Sequence, residues 1–269
     1  MFQSFTTPST VQLLNIHVDN LSTYEVLQSL RAGVVLTPNV DHLMQLQRDP
    51  EFLSIYASAD YKLCDSQILF YASRFLRTPI KEKISGSDLF PAFCEFHKDN
   101  PDIRIFLLGG TDGVPEKATE KINSKIGREI VVGAYSPPFG FEHDEQECFN
   151  IIDQITRSGA TVLAIGVGAP KQEKWLHKYK DYLTSIKIFM AVGATINFEA
   201  GAVKRAPKWM SRYGLEWLYR LLTEPRRLWK RYLVDDLPFL WLIIKQKLGL
   251  YKPPFCSPVY PYSLPPDGV

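Results

Sequence analysis

Short apolar runs bounded by turn residues alternate with helical patterns from residue 11 to residue 199, and there the alternation stops. Strands joined through helices cannot close into hairpins, so they pair in parallel and the helices cover both faces of the sheet. The spacing predicts strands over 11–17, 33–37, 60–64, 103–108, 129–134, 161–167 and 187–192. Helices are predicted over 21–31, 39–58, 66–76, 86–98, 112–126, 142–158 and 170–182. The runs Ile103–Leu108 and Val162–Ile165 are apolar at nearly every position, as strands buried on both faces must be.

The expected fold class is therefore α/β, a Rossmann-like, mostly parallel sheet with helices on both faces and a C-terminal helical appendage. A chain of 269 residues has room for residues 1–200 as the core, 201–250 as the appendage and 251–269 as a flexible, proline-rich tail. No internal repeat is visible.

Charge marks the same boundary. Residues 1–203 hold 19 Lys and Arg against 24 Asp and Glu, a net of −5, whereas residues 204–247 hold 11 against 4, a net of +7. A basic block on an otherwise acidic chain points to an anionic partner for that block: nucleic acid, anionic lipid or a phosphorylated substrate. Trp209, Trp217, Tyr219, Trp229, Tyr232 and Trp241 are interleaved with its cations. Its longest uncharged run, Leu237–Ile244, has eight residues and contains Pro238, far short of the roughly 20 apolar residues a spanning helix needs. The composition suits a helix lying on an anionic membrane surface, and it also suits a helical hairpin packed on the core. The long aliphatic content argues against nucleic acid. Cys64, Cys94, Cys148 and Cys256 show no C-x-x-C pair, and the N-terminus carries no signal-peptide pattern, so a cytoplasmic protein with reduced thiols is expected. The histidines have no ligand spacing, and neither a metal site nor a cofactor is expected.

Several strand ends carry chemistry. Asp65 closes the run Tyr61–Cys64 where a helical pattern begins, the edge at which open parallel sheets bind ligands. The same position also suits a helix cap. Thr37-Pro38-Asn39 ends the preceding strand in a similar way. Gly-rich turns around Gly109 and Gly168 lead strands into helices, where free N–H groups and the helix dipole favour phosphate; tight packing explains the same glycines. Pro170 suits a first helical position and would hold Lys171 and Gln172 beside that turn. Lys83 and Gly86 form a third loop of this kind, with Ser85 and Ser87 as possible caps. Gly193 follows the last strand and leads towards Lys204 and Arg205. No Asp-x-Asp pair is present to hold a diphosphate through a divalent cation, which leaves that task to cations and helix N-termini of the protein.

Thr37-Pro38-Asn39, Asp65-Ser66, Gly86-Ser87-Asp88-Leu89, Gly168–Glu173, Lys204-Arg205-Ala206-Pro207, Gly214–Arg220 and Glu224-Pro225-Arg226-Arg227 together resemble the WecG/TagA/CpsF family of glycosyltransferases, in order and at the family's spacing over about residues 10–245. The resemblance implies an inverting, metal-independent transfer of a sugar from a UDP donor to a sugar on a polyprenyl diphosphate. The site would lie at the cytoplasmic face of the membrane, in cell-surface polysaccharide synthesis. The donor sugar would be N-acetylmannosamine, its uronic acid or glucuronic acid. By the same resemblance Asp65 is the base, Thr37 is grouped with it as catalytic and lies with Asn39 in the donor pocket, and Gln172 completes that pocket. Lys83 stands where the family commonly has Arg, keeping the charge without the bidentate fork. Arg220 and Arg227 would reach the acceptor diphosphate, and self-association through the core is implied. Two other classes fit the residues alone: a nucleotide-dependent oxidoreductase or methyltransferase on the same fold, and a non-catalytic binder of anionic membranes.

Overall fold

The computed structural model describes residues 10–255. It opens with an antiparallel hairpin of β1 (Thr10–Leu13) and β2 (Ile16–Asp19). The sequence pattern predicts one strand over 11–17; the chain instead reverses at Leu14, whose φ is 53°. Leu14, the first of the two turn residues, is fully buried, which leaves Asn15 as the single polar residue marking this turn.

Six strands form one wholly parallel sheet: β3 (Gly33–Leu36), β4 (Tyr61–Lys62), β5 (Ile105–Gly109), β6 (Val131–Tyr135), β7 (Val162–Gly166) and β8 (Ile188–Ala191). Their order is β4-β3-β8-β7-β5-β6. Val35 lies between Tyr61 and Met190, and Leu107 between Ala134 and Ala164. Successive side chains alternate between two cores. Phe106, Leu108, Leu163, Ile165 and Phe189 enter one, and Ile105, Leu107, Val162, Ala164 and Ile188 enter the other.

The second core is covered by α1 (Thr23–Ser29), α5 (Gly86–Phe96), α6 (Val114–Ile126) and α9 (Thr195–Ala200). The first is covered by α2 (Val40–Gln45), α3 (Pro50–Ser58), α4 (Gln67–Phe75), α7 (Glu145–Arg157) and α8 (Lys171–Tyr179). The single helix predicted over 39–58 is two, α2 and α3. Asp49 accepts a hydrogen bond from the Phe52 N–H at 3.0 Å, and Pro50 takes the first turn, so the helix restarts.

Beyond α9 come α10 (Lys208–Arg212), α11 (Glu216–Thr223), α12 (Pro225–Lys230), a π-helical turn at Arg231–Asp235, and α13 (Pro238–Lys247). This appendage folds back onto the core. Phe239 and Ile243 of α13 are buried in the first core. The Leu14 N–H donates to Gln246 Oε1 at 2.9 Å, and Gln246 Nε2 donates to the Gln12 carbonyl at 3.1 Å. Among the described residues no helix is long and apolar enough to cross a membrane. Tyr251 donates to Gln47 Oε1 at 2.7 Å, and the remainder of the predicted flexible tail, residues 256–269, lies outside the described residues.

Candidate functional site

A cavity of about 280 Å³ opens between the carboxyl ends of β3 and β4 and the appendage. Asn39, Asp41, Asp65, Gln67 and Lys83 line it from the core, and Glu216, Trp217, Arg220, Arg231, Tyr232 and Asp236 from the appendage. Residues some 150 positions apart therefore share one wall.

Asp65 is held firmly. Its N–H donates to the Pro38 carbonyl at 3.0 Å, and on either side Leu63 donates to Leu36 and Ile84 to Cys64. The helix-cap alternative does not hold, because α4 is capped by Ser66, whose Oγ accepts from the Ile68 N–H at 3.2 Å. Among the described residues no side chain hydrogen-bonds the Asp65 carboxylate, and Asp65, only partly exposed, lines the cavity. Desolvation, reinforced by the Glu216 carboxylate, pushes its pKa up to about 7; Lys83 and Arg220 oppose the shift. A carboxyl group with that pKa changes protonation state near neutral pH, as a general base must.

The cations are tied to partners. Arg220 Nη2 contacts Glu216 Oε1 at 2.6 Å, and Lys83 Nζ stands 3.9 Å from Asp88 Oδ2 with its side chain 19% exposed. Asp88 also receives Arg205 at 2.8 Å, and Arg205 donates to the Ser87 carbonyl. Arg205 thereby pins the loop before the appendage to the start of α5. Arg231 bridges the two halves of the cavity, reaching Asp41 Oδ2 at 3.3 Å and Asn39 Oδ1 at 3.5 Å. Asn39 also caps α2 by accepting from the His42 N–H at 3.2 Å.

The remaining sequence-selected residues lie elsewhere. Thr37 is buried beside Gly86: a Cβ on Gly86 would sit 3.6 Å from Thr37 Oγ1 and 3.3 Å from the Val192 Cα, so the close approach there is to the protein's own backbone. Gly193 turns the chain after β8. Gly109 and Gly168 flank the crevice between β5 and β7, where β5 leads outward to β6 and β7 leads the other way to β8. Such a divergence is where open α/β sheets admit ligands. At Gly109 (φ 133°) a Cβ would come within 2.6 Å of the Gly166 backbone, so strand packing alone demands glycine. Gly168 (φ 90°) has nothing within 4 Å of that position, which leaves its turn open. Gln172 is buried, accepting from the Gly168 N–H at 3.3 Å and donating to Glu173 at 2.9 Å; it shapes this turn from behind. Lys204 is exposed, and Arg227 is paired on the surface with Glu224 at 2.6 Å, its side chain 66% exposed; neither lines the cavity.

Sequence reasoning did not single out Asp41, Glu216, Arg231 or Asp236 as site residues, and it read Tyr232 only as one of the aromatic side chains of the basic block. Glu216 lies inside the Gly214–Arg220 stretch and Asp41 two residues past Asn39, but Arg231 and Asp236 carry no local signal beyond the basic block. Among the described residues no three His, Cys, Asp or Glu side chains converge as a metal ligand set.

Two further carboxyls are raised to about 7 by burial, Asp236 at the cavity wall and Glu173 behind it. Glu173 is 1% exposed. A carboxyl whose folded pKa exceeds its unfolded value stabilises the fold while both states are protonated and loses that contribution as pH rises to the folded pKa. Glu173→Gln is therefore expected to match the wild type in thermal stability near pH 4 and to exceed it by several degrees at pH 8. Identical melting temperatures at pH 8 would refute a raised pKa.

Residues 11–253 match the model of the family described as Glycosyl transferase WecG/TagA/CpsF family. One similar protein is an N-acetylglucosaminyldiphosphoundecaprenol N-acetyl-beta-D-mannosaminyltransferase of Bacillus spizizenii, 28% identical over 247 residues that cover 91% of each chain. Another, of the same name, comes from Bacillus subtilis and is 30% identical over 220 residues, 82% of each chain.

Proposed function

Since the chain belongs to the WecG/TagA/CpsF glycosyl transferase family, we propose that it moves a sugar from a UDP donor to a sugar carried on a polyprenyl diphosphate, with inversion and with Asp65 as the base. The observation that carries this reading is the Asp65 carboxylate: fixed by its backbone, unbonded at its side chain, turned into a cavity and poised to titrate near pH 7. The names of the two Bacillus relatives favour N-acetylmannosamine as the sugar moved and N-acetylglucosamine as the acceptor sugar, over the uronic acids.

In the proposed reaction Asp65 takes the proton of an acceptor hydroxyl as that oxygen attacks the anomeric carbon from the face opposite UDP. The bond from the anomeric carbon to the diphosphate oxygen breaks, and UDP leaves with the electron pair. One carboxylate is enough for a single displacement. The departing diphosphate is stabilised by cations and backbone N–H groups of the chain, without a metal ion. Lys83 and the open turn at Gly168 are suited to this. The β5/β7 crevice lies between three and four strand spacings from β4, on the order of 17 Å, a gap suited to an extended nucleoside diphosphate sugar with its base at the crevice and its sugar at Asp65. Arg220 and Arg231 are suited to the acceptor diphosphate.

The appendage supports attachment to the inner face of the cell membrane. Trp209, Trp229 and Trp241 are each more than half exposed, among basic side chains. Aromatic and aliphatic side chains mixed with Lys and Arg bind the interface of an anionic bilayer without spanning it.

The full-length protein, incubated with a panel of UDP-sugars and a short-chain lipid-diphosphate N-acetylglucosamine, is expected to give a product one N-acetylhexosamine heavier by mass spectrometry. EDTA should leave the rate unchanged. Absence of transfer from every UDP-sugar would overturn the proposal. The Asp65 environment adds a signed test. Glu216→Gln removes a charge that raises the Asp65 pKa, so the acid limb of kcat/KM should move to lower pH; Lys83→Gln removes one that lowers it, so the limb should move to higher pH. Limbs that stay in place in both variants would detach these residues from the base.

A further inference from the structure

The cavity has walls of two kinds. Around Asp65 it is lined by charged groups, Lys83, Glu216 and Arg220. Leu233 from the π-helical turn and Leu237, Phe239 and Leu240 from the start of α13 form another wall, with Ile68 of α4 also lining the cavity. Leu233, Leu237 and Leu240 line the cavity and yet are 49%, 55% and 58% exposed, so they mark its mouth. A mouth of leucines costs free energy in water unless something apolar covers it. Phe239 differs from them: it is 1% exposed and belongs to the core, so it forms a fixed floor beneath that mouth.

An acceptor on a polyprenyl diphosphate has the matching polarity in one molecule: a sugar hydroxyl for Asp65, a diphosphate for the cations and a branched hydrocarbon directly attached. We infer that the leucine-lined mouth between the π-helical turn and α13 is a subsite for the first isoprene units of the acceptor, so that the protein itself, and not only the bilayer, holds the lipid. This rests on the proposed acceptor class. The occupant is chosen by continuity, because the apolar wall and the cationic wall belong to one cavity and the hydrocarbon of such an acceptor begins where its diphosphate ends. The exposed neighbours Val234, Trp241 and Ile244 extend the apolar surface beyond the mouth, giving the rest of the chain a route towards the membrane. A second consequence is selectivity: an acceptor with a straight or very short chain leaves the mouth wet and binds less well.

The test uses full-length protein without detergent or membrane, and water-soluble acceptors carrying N-acetylglucosamine diphosphate on a methyl group or on one, two or three isoprene units. In the wild type KM is expected to fall at least about tenfold from the methyl to the two-isoprene acceptor, with kcat changing little, since apolar area leaving water adds binding in the ground and transition states alike. Leu237→Gln/Leu240→Gln should abolish most of that gain while leaving the KM for the methyl acceptor and the affinity for UDP in place. Leu222→Gln, still more exposed at 71% on α11 but outside the cavity wall, should retain the gain. All three altered side chains are more than half exposed, so melting temperatures should stay close to the wild type. A KM independent of chain length in the wild type, or a gain that survives in the double variant, would overturn the subsite. Failure of the wild type to glycosylate any of the acceptors would instead overturn the proposed function.

Discussion

Asp65→Asn is expected to lower turnover by roughly 10²–10⁴-fold, the usual contribution of a positioned general base, and to leave UDP binding as in the wild type. Asn keeps the shape and the backbone frame that fixes residue 65 between Pro38 and Ile84, so the cavity is preserved and only proton acceptance is lost. The pH dependence of the wild type gives the same expectation from another direction. With its pKa pushed up to about 7 by desolvation and Glu216, Asp65 is ionised above that pH and protonated below it. Below about pH 7 kcat/KM is therefore expected to fall tenfold per unit, and above it to level off. Stability moves the opposite way, because the buried charge disfavours the fold once ionised: Asp65→Asn is expected to melt higher than the wild type at pH 8 and alike near pH 4. Calorimetry and steady-state kinetics on the same preparation measure both. Turnover within a few fold of the wild type would remove Asp65 from the chemistry, whatever the melting curves show.

Phe239→Ala carries the largest expected cost in stability. This side chain is 1% exposed, belongs to the first core and lines the cavity, so it is the point at which the appendage is anchored beneath the site. Removing a buried phenylalanine ring costs about 3–5 kcal/mol, and for a chain of this size each kcal/mol shifts the melting temperature by roughly 2–4 °C. Activity should fall along with it, since Glu216, Arg220 and Arg231 reach Asp65 and Asp41 only while the appendage is docked. Phe239→Leu, which keeps most of the volume, should recover the larger part of both. An unchanged melting temperature for Phe239→Ala would mean that α13 is not anchored there.

The parallel sheet was legible because its strands are apolar on both faces and its helices are not; no tertiary knowledge is needed to see that difference. The hairpin was missed because Leu14 turns the chain with a buried aliphatic side chain, and the break between α2 and α3 was carried only by Asp49-Pro50. In the site, Asn39, Asp65, Lys83 and Arg220 were selected from the sequence and line one cavity. Asn39 and Asp65 stand at strand ends and Lys83 in a loop that enters a helix, which are local properties, whereas Arg220 was picked out through the family resemblance. Arg231 and Asp236 could not, because their importance comes from lying opposite Asp41, nearly 200 residues away in the chain. Gly109 shows the converse: its turn looks ready for phosphate, yet the Gly166 backbone against it already requires the missing side chain.

The strand order also governs when this protein can finish folding. β5, β6 and β7 find partners among one another, but β3 and β7 also pair with β8, and among the described residues β4 pairs in the sheet with β3 alone. Val35 must wait for Met190 before its second edge is covered. Closing so long a loop is entropically unfavourable and slow, so contacts of this range tend to form late. On a ribosome the strand pair that leads into Asp65 stays at an open edge until the last strand has emerged, and the far wall of the cavity is synthesised later still. The half of the sheet that carries Asp65 is thus the part of the molecule most exposed to misassembly before the last strand is made.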